Sequence, residues 1–214
     1  QIIDRIEVIL ERLPYAVRQA HERIIGERPV LNEEKILSLY EGHAAVYVRG
    51  KAGAEVEFGS QLLLGESQAG LIVDWELVLG HPQADTKLLG RSLDRLLENG
   101  AGQKPQSVTG DRGFDSQANR RLLEEERIFN AICPKSPQEL RRRMKEQRFA
   151  DLQQRRSQTE ARVAIFKNCF LGSRLLSKGH SRQNTQVAWA VLTHNLWLIA
   201  RLERQERRVL RKAG

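Results

Sequence analysis

The sequence predicts an α/β fold in which a mixed sheet carries helices on its faces. The predicted elements run helix, three strands, helix, strand, helix, strand and then only helices, and antiparallel strands followed by alternating strand and helix are typical of such a sheet. Apolar residues recur at three- and four-residue spacing over residues 3–26 and form an apolar stripe over residues 82–99, which indicates amphipathic helices, and residues 116–127 are predicted as a further helix. Short apolar runs bounded by turn residues lie between these helices and indicate strands.

The individual elements follow from the same patterns. Pro14 is expected to split or kink the first helix, because proline lacks the amide hydrogen that bonds to the preceding turn. Ser116 is a candidate cap for the helix that follows it. From Pro137 onward we predict helix, broken at Gly172 and near Gly179. The five predicted strands are residues 36–41, 56–64, 71–79, 107–111 and 129–134, with residues 45–49 either extending the first strand or forming their own.

Length and composition exclude several classes of protein. A chain of 214 residues can bury one sizeable core, and 40% hydrophobic with 29% charged residues argues against disorder. No apolar run approaches the roughly 18 residues that cross a bilayer, and the residues from Gln1 onward do not read as a secretion signal. Two cysteines are too few for a disulfide framework or a zinc cluster. We therefore expect a cytoplasmic protein, and because the chain begins at Gln1 rather than Met, we expect a fragment or a processed form.

Charge is distributed unevenly along the chain. Residues 141–214 contain 18 Lys and Arg against 5 Asp and Glu, a net charge of +13, whereas the preceding 140 residues carry a net charge of −5. A basic segment of this kind favours binding to a polyanion, because Lys and Arg that neutralise phosphates release condensed counterions. The alternative is a solvated basic surface that confers solubility.

The first candidate for chemistry is the segment Gly110-Asp111-Arg112-Gly113-Phe114. Asp111 follows a predicted strand and lies between two glycines, which allow the backbone to turn sharply. Acidic residues at strand ends beside such turns are typical of metal ligands and catalytic groups in α/β proteins. The alternative is a simple turn in which Asp111 caps a neighbouring amide.

The second candidate is the helix around Glu160. At 100° per residue, five side chains fall within an arc of about 80°. A charged group on a face that packs against the protein must be paired or bind a metal, because burying it alone is costly. The alternative is a surface pair between Arg156 and Glu160, worth a few tenths of a kcal/mol. The five residues are Gln153, Arg156, Glu160, Val163 and Lys167.

Together these two segments resemble the DDE-type insertion-sequence transposases. In that family an Asp-Arg-Gly-Phe/Tyr segment carries the second acid, which corresponds to Asp111. The third acid lies in the helical pattern Tyr-x2-Arg-x3-Glu-x6-Lys, which this chain matches at Arg156, Glu160 and Lys167, with Gln153 in place of the tyrosine. The resemblance covers most of residues 35–203.

The resemblance implies an RNase H-like core with a five-stranded mixed sheet and an acidic triad. Two Mg²⁺ or Mn²⁺ ions about 4 Å apart are then expected, held by carboxylate oxygens. The predicted triad is Glu41, Asp111 and Glu160, which serve as both catalytic residues and metal ligands. Asp74 is the competing first acid, although strand alternation also allows it to lie on an exposed face. In the family the first acid is an aspartate, so Glu41 places its carboxylate one methylene further out.

The remaining implied roles concern DNA. Arg112, Arg156 and Lys167 are expected either to support the acidic residues or to bind DNA phosphates. The implied partners are transposon ends and target DNA, bound by a homodimer or a larger assembly associated with the nucleoid, with no membrane partner.

The predicted organisation has three parts. Residues 1–32 are a helical segment, interpreted as the remnant of an N-terminal DNA-binding region, residues 33–203 are the catalytic domain, and residues 204–214 are a basic tail. The predicted function is metal-dependent cleavage and strand transfer of transposon DNA ends. The alternatives are an inactive or truncated DNA-binding remnant, and an RNase H-like nuclease that cuts without joining.

Overall fold

The computed structural model describes residues 2–40, 44–51, 54–99, 104–172 and 175–213. The chain forms two compact units, each described by itself below. The first unit comprises Gln1–Leu62, Leu77–Pro82 and Leu175–Gln186, and the second comprises Leu63–Glu76, Gln83–Arg174 and Val187–Gly214.

The first unit begins with helix α1, Ile2–Ile24, which is one uninterrupted helix. The expectation that Pro14 splits this segment is therefore wrong, since the helix continues on both sides of the proline. The amide of Ile36 donates to Gln19 Oε1 (2.7 Å), and Gln19 Nε2 donates to the Ile36 carbonyl (3.3 Å). Arg12 also donates to the Leu39 carbonyl.

Those contacts explain why the first predicted strand is absent over residues 36–40. Side chains of α1 satisfy backbone groups of Ile36 and Leu39 that a strand would present to a neighbouring strand. The segment therefore lies along α1 and forms no strand. The last residue of the predicted strand, Glu41, lies outside the described residues.

Four strands follow where the sequence predicts runs over residues 45–49, 56–64 and 71–79. Strand β1, Ala45–Lys51, is a separate strand and not an extension of residues 36–40. It pairs antiparallel with β2, Ala54–Gly59. The predicted strand over residues 56–64 is divided between β2 and β3, Leu62–Glu66. Strand β4, Ile72–Leu77, pairs with β3.

The second unit contains a parallel strand pair joined by a helix. Strand β5, Ser107–Gly110, pairs with β6, Phe129–Ile132, and helix α3, Gln117–Glu125, connects them. Ser116 caps α3 as predicted, because its hydroxyl accepts from the Asn119 amide. The buried core of this unit consists of Leu89, Leu93, Leu123, Ile128 and Ile132. Helix α2, Asp85–Asn99, supplies the first two of these side chains and α3 the third.

Most of the described residues after Pro137 are helical, as predicted. Helices α4, Pro137–Arg143, and α5, Gln147–Ile165, are followed by a π-helical segment, Phe166–Leu171. Gly172 and Gly179 both have φ of 84°, a left-handed conformation that favours glycine, and these are the predicted breaks. Helix α6, His180–Ala213, then continues through the basic tail.

The α/β class is confirmed, with six α-helices and with both antiparallel and parallel strand pairs among the described residues. Within that part of the chain the six strands form three two-stranded sheets. A single five-stranded sheet, and the domain boundaries at residues 32 and 203, stay predictions.

Candidate active site

Asp111 lies at the carboxyl end of β5, at the start of a single 3₁₀ turn, Arg112–Phe114. Its Oδ1 accepts a hydrogen bond from the Gly113 amide (2.8 Å), so the predicted alternative of an amide cap is confirmed. The Asp111 side chain is nevertheless exposed, and this hydrogen bond engages one of its two carboxylate oxygens. The turn thus holds a solvent-accessible carboxylate in a defined orientation.

A second carboxylate, that of Asp85, lies against the same turn. A Cβ atom placed on Gly113 would overlap Asp85 Oδ2 and would lie 3.0 Å from Asp111 Oδ1. Glycine is therefore required at this position for the close approach of the two acids. Sequence reasoning missed Asp85, which is the first residue of α2. It lies 26 positions before Asp111 in the sequence, and the residues around it form no motif that points to a site.

Asp111 lines an open cleft of about 630 Å³ in the second unit. The 3₁₀ turn forms one wall of the cleft, and the end of β6 with helix α4 forms a second wall. The first half of α5 forms the third wall. Two of the predicted site segments therefore meet here, one around Asp111 and the other on α5. The residues that line the cleft are Asp111, Arg112, Gly113, Cys133, Leu140, Met144, Gln153, Gln154 and Arg156.

Gln153, which replaces the tyrosine of the helical pattern, links α5 to the sheet. Its side chain is buried, and its Nε2 donates to the carbonyl of Ala131 in β6 (2.6 Å). Its Oε1 accepts from Arg156 Nε (3.2 Å). Gln153 thereby fixes the guanidinium of Arg156 at the cleft.

Glu160 lies one helical turn beyond Arg156 and does not line the cleft. Its side chain is 80% exposed, and its Oε1 lies 3.7 Å from Arg156 Nη1. The predicted surface pair is therefore present, and the same contact joins Glu160 to the Gln153–Arg156 chain of hydrogen bonds. The structure brings Asp111 together with Arg156, and it places Glu160 beside Arg156.

The other two predicted basic residues are both exposed. Arg112 lies in the 3₁₀ turn and lines the cleft next to Asp111. Lys167 lies in the π-helical segment, beyond the end of α5 at Ile165, so the 100° spacing used to place it on one face with Glu160 does not extend that far.

One comparison with known proteins gives a match. The family model described as transposase DDE domain matches residues 48–196, well over half of the chain. The chain belongs to the DDE-domain transposase family. No curated protein and no solved structure matches it. The matched range includes Asp111 and Glu160 and begins after Glu41.

Membership of the DDE-domain transposases confirms the resemblance that the two motifs suggested. It indicates a transposase class of enzyme and DNA as the partner, and transposases of this family generally use divalent metal ions. Within the part of the chain that the structure describes, no helix is long and apolar enough to cross a membrane.

Asp74, the predicted alternative to Glu41, is buried rather than exposed. In β4 the side chains of Ile72 and Asp74 lie on the buried face, while Val73 is half-exposed between them. The predicted exposed-face alternative for Asp74 is therefore wrong. Gly65 in β3 makes room for it, because a Cβ at Gly65 would lie only 3.2 Å from Asp74 Cβ.

The burial of Asp74 is compensated by a network of ion pairs with α2. Arg95 donates to both carboxylate oxygens (2.7 and 2.8 Å), and the hydroxyl of Ser92 donates to Oδ2 (2.6 Å). Glu76 pairs with Arg95 and Arg91. The hydrogen bonds that Arg95 donates to Asp74 are the main cause that raises the pKa of Arg95, with smaller contributions from Glu76. Asp74 is therefore committed to a structural ion pair.

A comparable network lies beyond the Asp111 turn. The carboxylate of Asp115 accepts from Arg120 (2.7 and 2.9 Å) and from the amide of Lys135 (2.8 Å), and Arg120 also binds Glu139. The hydrogen bond from Arg120 holds the pKa of Asp115 below its usual value, and the bond from the Lys135 amide adds to this effect. The network joins the turn, α3 and α4 beside the cleft.

The donor chemistry at the Asp111 turn fits a hard divalent cation in part. Carboxylate oxygens are the ligands that Mg²⁺ and Mn²⁺ favour, and Asp111 and Asp85 present two carboxylates at one turn. Among the residues that the structure describes, no three His, Cys, Asp or Glu side chains group closely enough to hold a metal. Glu41, the predicted third contributor, lies outside that set.

Replacement of Asp74 tests its structural role. Asp74→Asn removes a charge that Arg95 pairs with, so we expect the free energy of unfolding to fall by about 2–3 kcal/mol. Urea denaturation followed by circular dichroism measures the change. Glu98→Gln, an exposed acid on the same helix as Arg95, serves as the control and should stay within about 0.5 kcal/mol of the wild type. A stable Asp74→Asn protein would contradict the structural role.

The Asp115 network predicts a dependence of stability on pH. Because the pKa of Asp115 is lower in the folded than in the unfolded chain, its contribution is present above the unfolded value of about 3.9 and is lost as pH falls through the folded value. We expect Asp115→Asn to be less stable than the wild type at neutral pH, and the difference to shrink as the pH is lowered below 4. Unfolding free energies at several pH values measure this, and a constant difference would contradict it. Asp94→Asn, which alters an exposed carboxylate, should follow the wild-type profile.

Proposed function

We propose that the chain is the catalytic domain of a DNA transposase that cuts phosphodiesters at transposon ends and joins them to target DNA. The observation that carries this proposal is the cleft, where Asp111, Arg112 and Arg156 meet in a chain of the DDE-domain transposase family. An exposed acid beside two cations suits a site where metal and phosphate must be bound side by side.

In this proposal the acidic triad is Glu41, Asp111 and Glu160, as both catalytic residues and metal ligands. A pair of Mg²⁺ or Mn²⁺ ions in such a site supplies activation of a water or a DNA 3′-hydroxyl and stabilisation of the leaving oxygen. The contribution of the chain is orientation. The Gly113 amide fixes the carboxylate of Asp111, and Arg156, itself held by Gln153, contacts the carboxylate of Glu160.

The basic residues are proposed to bind DNA. Arg112 and Arg156 line the cleft and can contact the phosphate next to the reacting bond, and the exposed Lys167 can contact a phosphate further along. The net charge of +13 over residues 141–214 supports a wider path for the DNA backbone.

The proposed architecture is an RNase H-like catalytic domain over residues 33–203, with a five-stranded sheet, preceded by a remnant of a DNA-binding region and followed by the basic tail. The parallel β5–α3–β6 unit, with an acid directly after β5, supports this assignment. We further propose that the protein acts in the cytoplasm at the nucleoid, as a homodimer or a larger assembly on two DNA ends.

Substitution of Asp111 tests the proposed chemistry. Asp111→Asn keeps the capping oxygen but removes the charge, so we expect the fold to persist and strand transfer to fall by more than about 100-fold, since even loss of a partner of a metal ligand costs 10–100-fold. The measurement is joining of pre-cut transposon ends to target DNA with Mg²⁺ or Mn²⁺. Asp94→Asn, an exposed acid on α2, should retain activity. Cleavage without joining by the wild type would instead identify a nuclease.

A second candidate function is an inactive DNA-binding protein. It is favoured by one observation, the lack of any group of three potential metal ligands among the described residues. Calorimetric titration with Mn²⁺ separates the two candidates. Our proposal predicts two binding events that vanish in Asp111→Ala and persist in Asp94→Ala, whereas the inactive protein predicts none in any variant.

A further inference from the structure

Helix α1 carries a row of exposed apolar side chains on one face. These residues are spaced by three and four positions, with one spacing of seven, and their exposed fractions range from 42% to 73%. Large aliphatic side chains in such a row are costly to leave in water. We call this row the α1 stripe; it consists of Ile3, Ile6, Leu10, Leu13, Val17 and Ile24.

The opposite side of α1 is the one that packs within the first unit. Ile9, Arg12, Ala16 and Gln19 are half-buried, and the hydrogen bonds of Arg12 and Gln19 hold the helix against residues 36–39. Polar contacts on one face of α1 therefore set the orientation of the helix in its unit. The α1 stripe lies on another face of the helix, where its side chains are exposed.

The spacing of the stripe is that of a coiled-coil seam. Ile3, Leu10, Val17 and Ile24 follow one another at intervals of seven, and Ile6 and Leu13 occupy the intervening positions three residues later. A seam with a mean period of 3.5 residues packs against a helix that carries the same period. A second copy of α1 meets this requirement.

The charges beside the stripe favour an antiparallel arrangement of two such helices. The exposed Glu7 and Glu11 lie in the first half of α1, and the exposed Arg18, His21 and Arg23 lie in the second half. An antiparallel pair places the acidic half of each copy opposite the basic half of the other, whereas a parallel pair places like charges together. A two-fold axis relates the two copies in such an interface.

The stripe supplies most of the apolar area that a stable contact needs. Each of its six side chains presents on the order of 100 Å² of apolar surface. Together they supply roughly three quarters of the about 800 Å² that each partner buries in a stable interface. The charged residues at its sides add the polar rim.

We propose that the α1 stripe is a homodimerisation surface, through which two copies of this chain pair with their α1 helices antiparallel. In the register that places Leu13 of one copy opposite Val17 of the other, Ile6 meets Ile24 and Glu7 approaches His21. The proposed function includes a homodimer or larger assembly, and the α1 stripe would be its contact surface. This inference therefore rests on the proposed function.

The first test measures the mass of the 214-residue chain in solution by sedimentation equilibrium, without DNA or metal. We expect a dimer for the wild type and at least about 100-fold weaker association for Leu10→Glu combined with Leu13→Glu, because two charges then enter the seam. Leu176→Glu, which alters an apolar side chain that is 84% exposed outside the stripe, should remain dimeric. A monomeric wild type, or a double variant that stays dimeric, would overturn the proposal.

The second test does not depend on a variant that disrupts packing. In a Cys169→Ser background, which removes the exposed native thiol, Leu13→Cys and Val17→Cys proteins are mixed and mildly oxidised. The antiparallel register predicts a covalent dimer that contains one copy of each, and no covalent dimer of Ile3→Cys alone. Efficient Ile3→Cys dimers would show a parallel pair and overturn the arrangement.

Both tests are independent of the reaction. A dimer that fails to join DNA would count against the proposed function and leave this surface intact. A monomer that still cleaves DNA would count against the surface alone.

Discussion

The parallel pairing of β5 with β6 is the constraint on which the rest of the candidate site depends. It places Asp111 directly beyond the end of β5, and the Gly110 carbonyl accepts from the Cys133 amide just past β6. Helix α5 is joined to β6 by a second contact, in which the buried side-chain amide of Gln153 donates to the Ala131 carbonyl. Because α5 is tied to β6 in this way, the arginine one turn later reaches the same cleft as the acid after β5.

Charged groups in the second unit are divided between two uses. Asp74 and Asp115 are buried, and each accepts two hydrogen bonds from one arginine, which offsets the cost of removing a carboxylate from water. Asp111 and Glu160 are exposed, and their contacts leave their carboxylates accessible from solvent. The difference in burial separates the acids that hold the unit together from those that are available for ligands.

The prediction from sequence succeeded where a short-range pattern carries the physics. The Asp111 turn, the Ser116 cap and the breaks at Gly172 and Gly179 each depend on a few neighbouring residues, and all four are confirmed. It failed for residues 36–40, where a strand was predicted. Side chains of α1 form hydrogen bonds with the backbone of this segment, and these take the place of bonds to a neighbouring strand. It also failed for Asp74, whose buried position depends on an arginine 21 residues away.

By itself the sequence determined the α/β class, the transposase family and the two motifs, because periodicity and spacing are local properties of the chain. Only the tertiary structure decided which acids are paired, that Asp85 approaches Asp111 across Gly113, and that Gln153 anchors Arg156 to β6. These are contacts between segments distant along the chain. They are set by how strands and helices pack, and no local pattern of residues encodes such a distance.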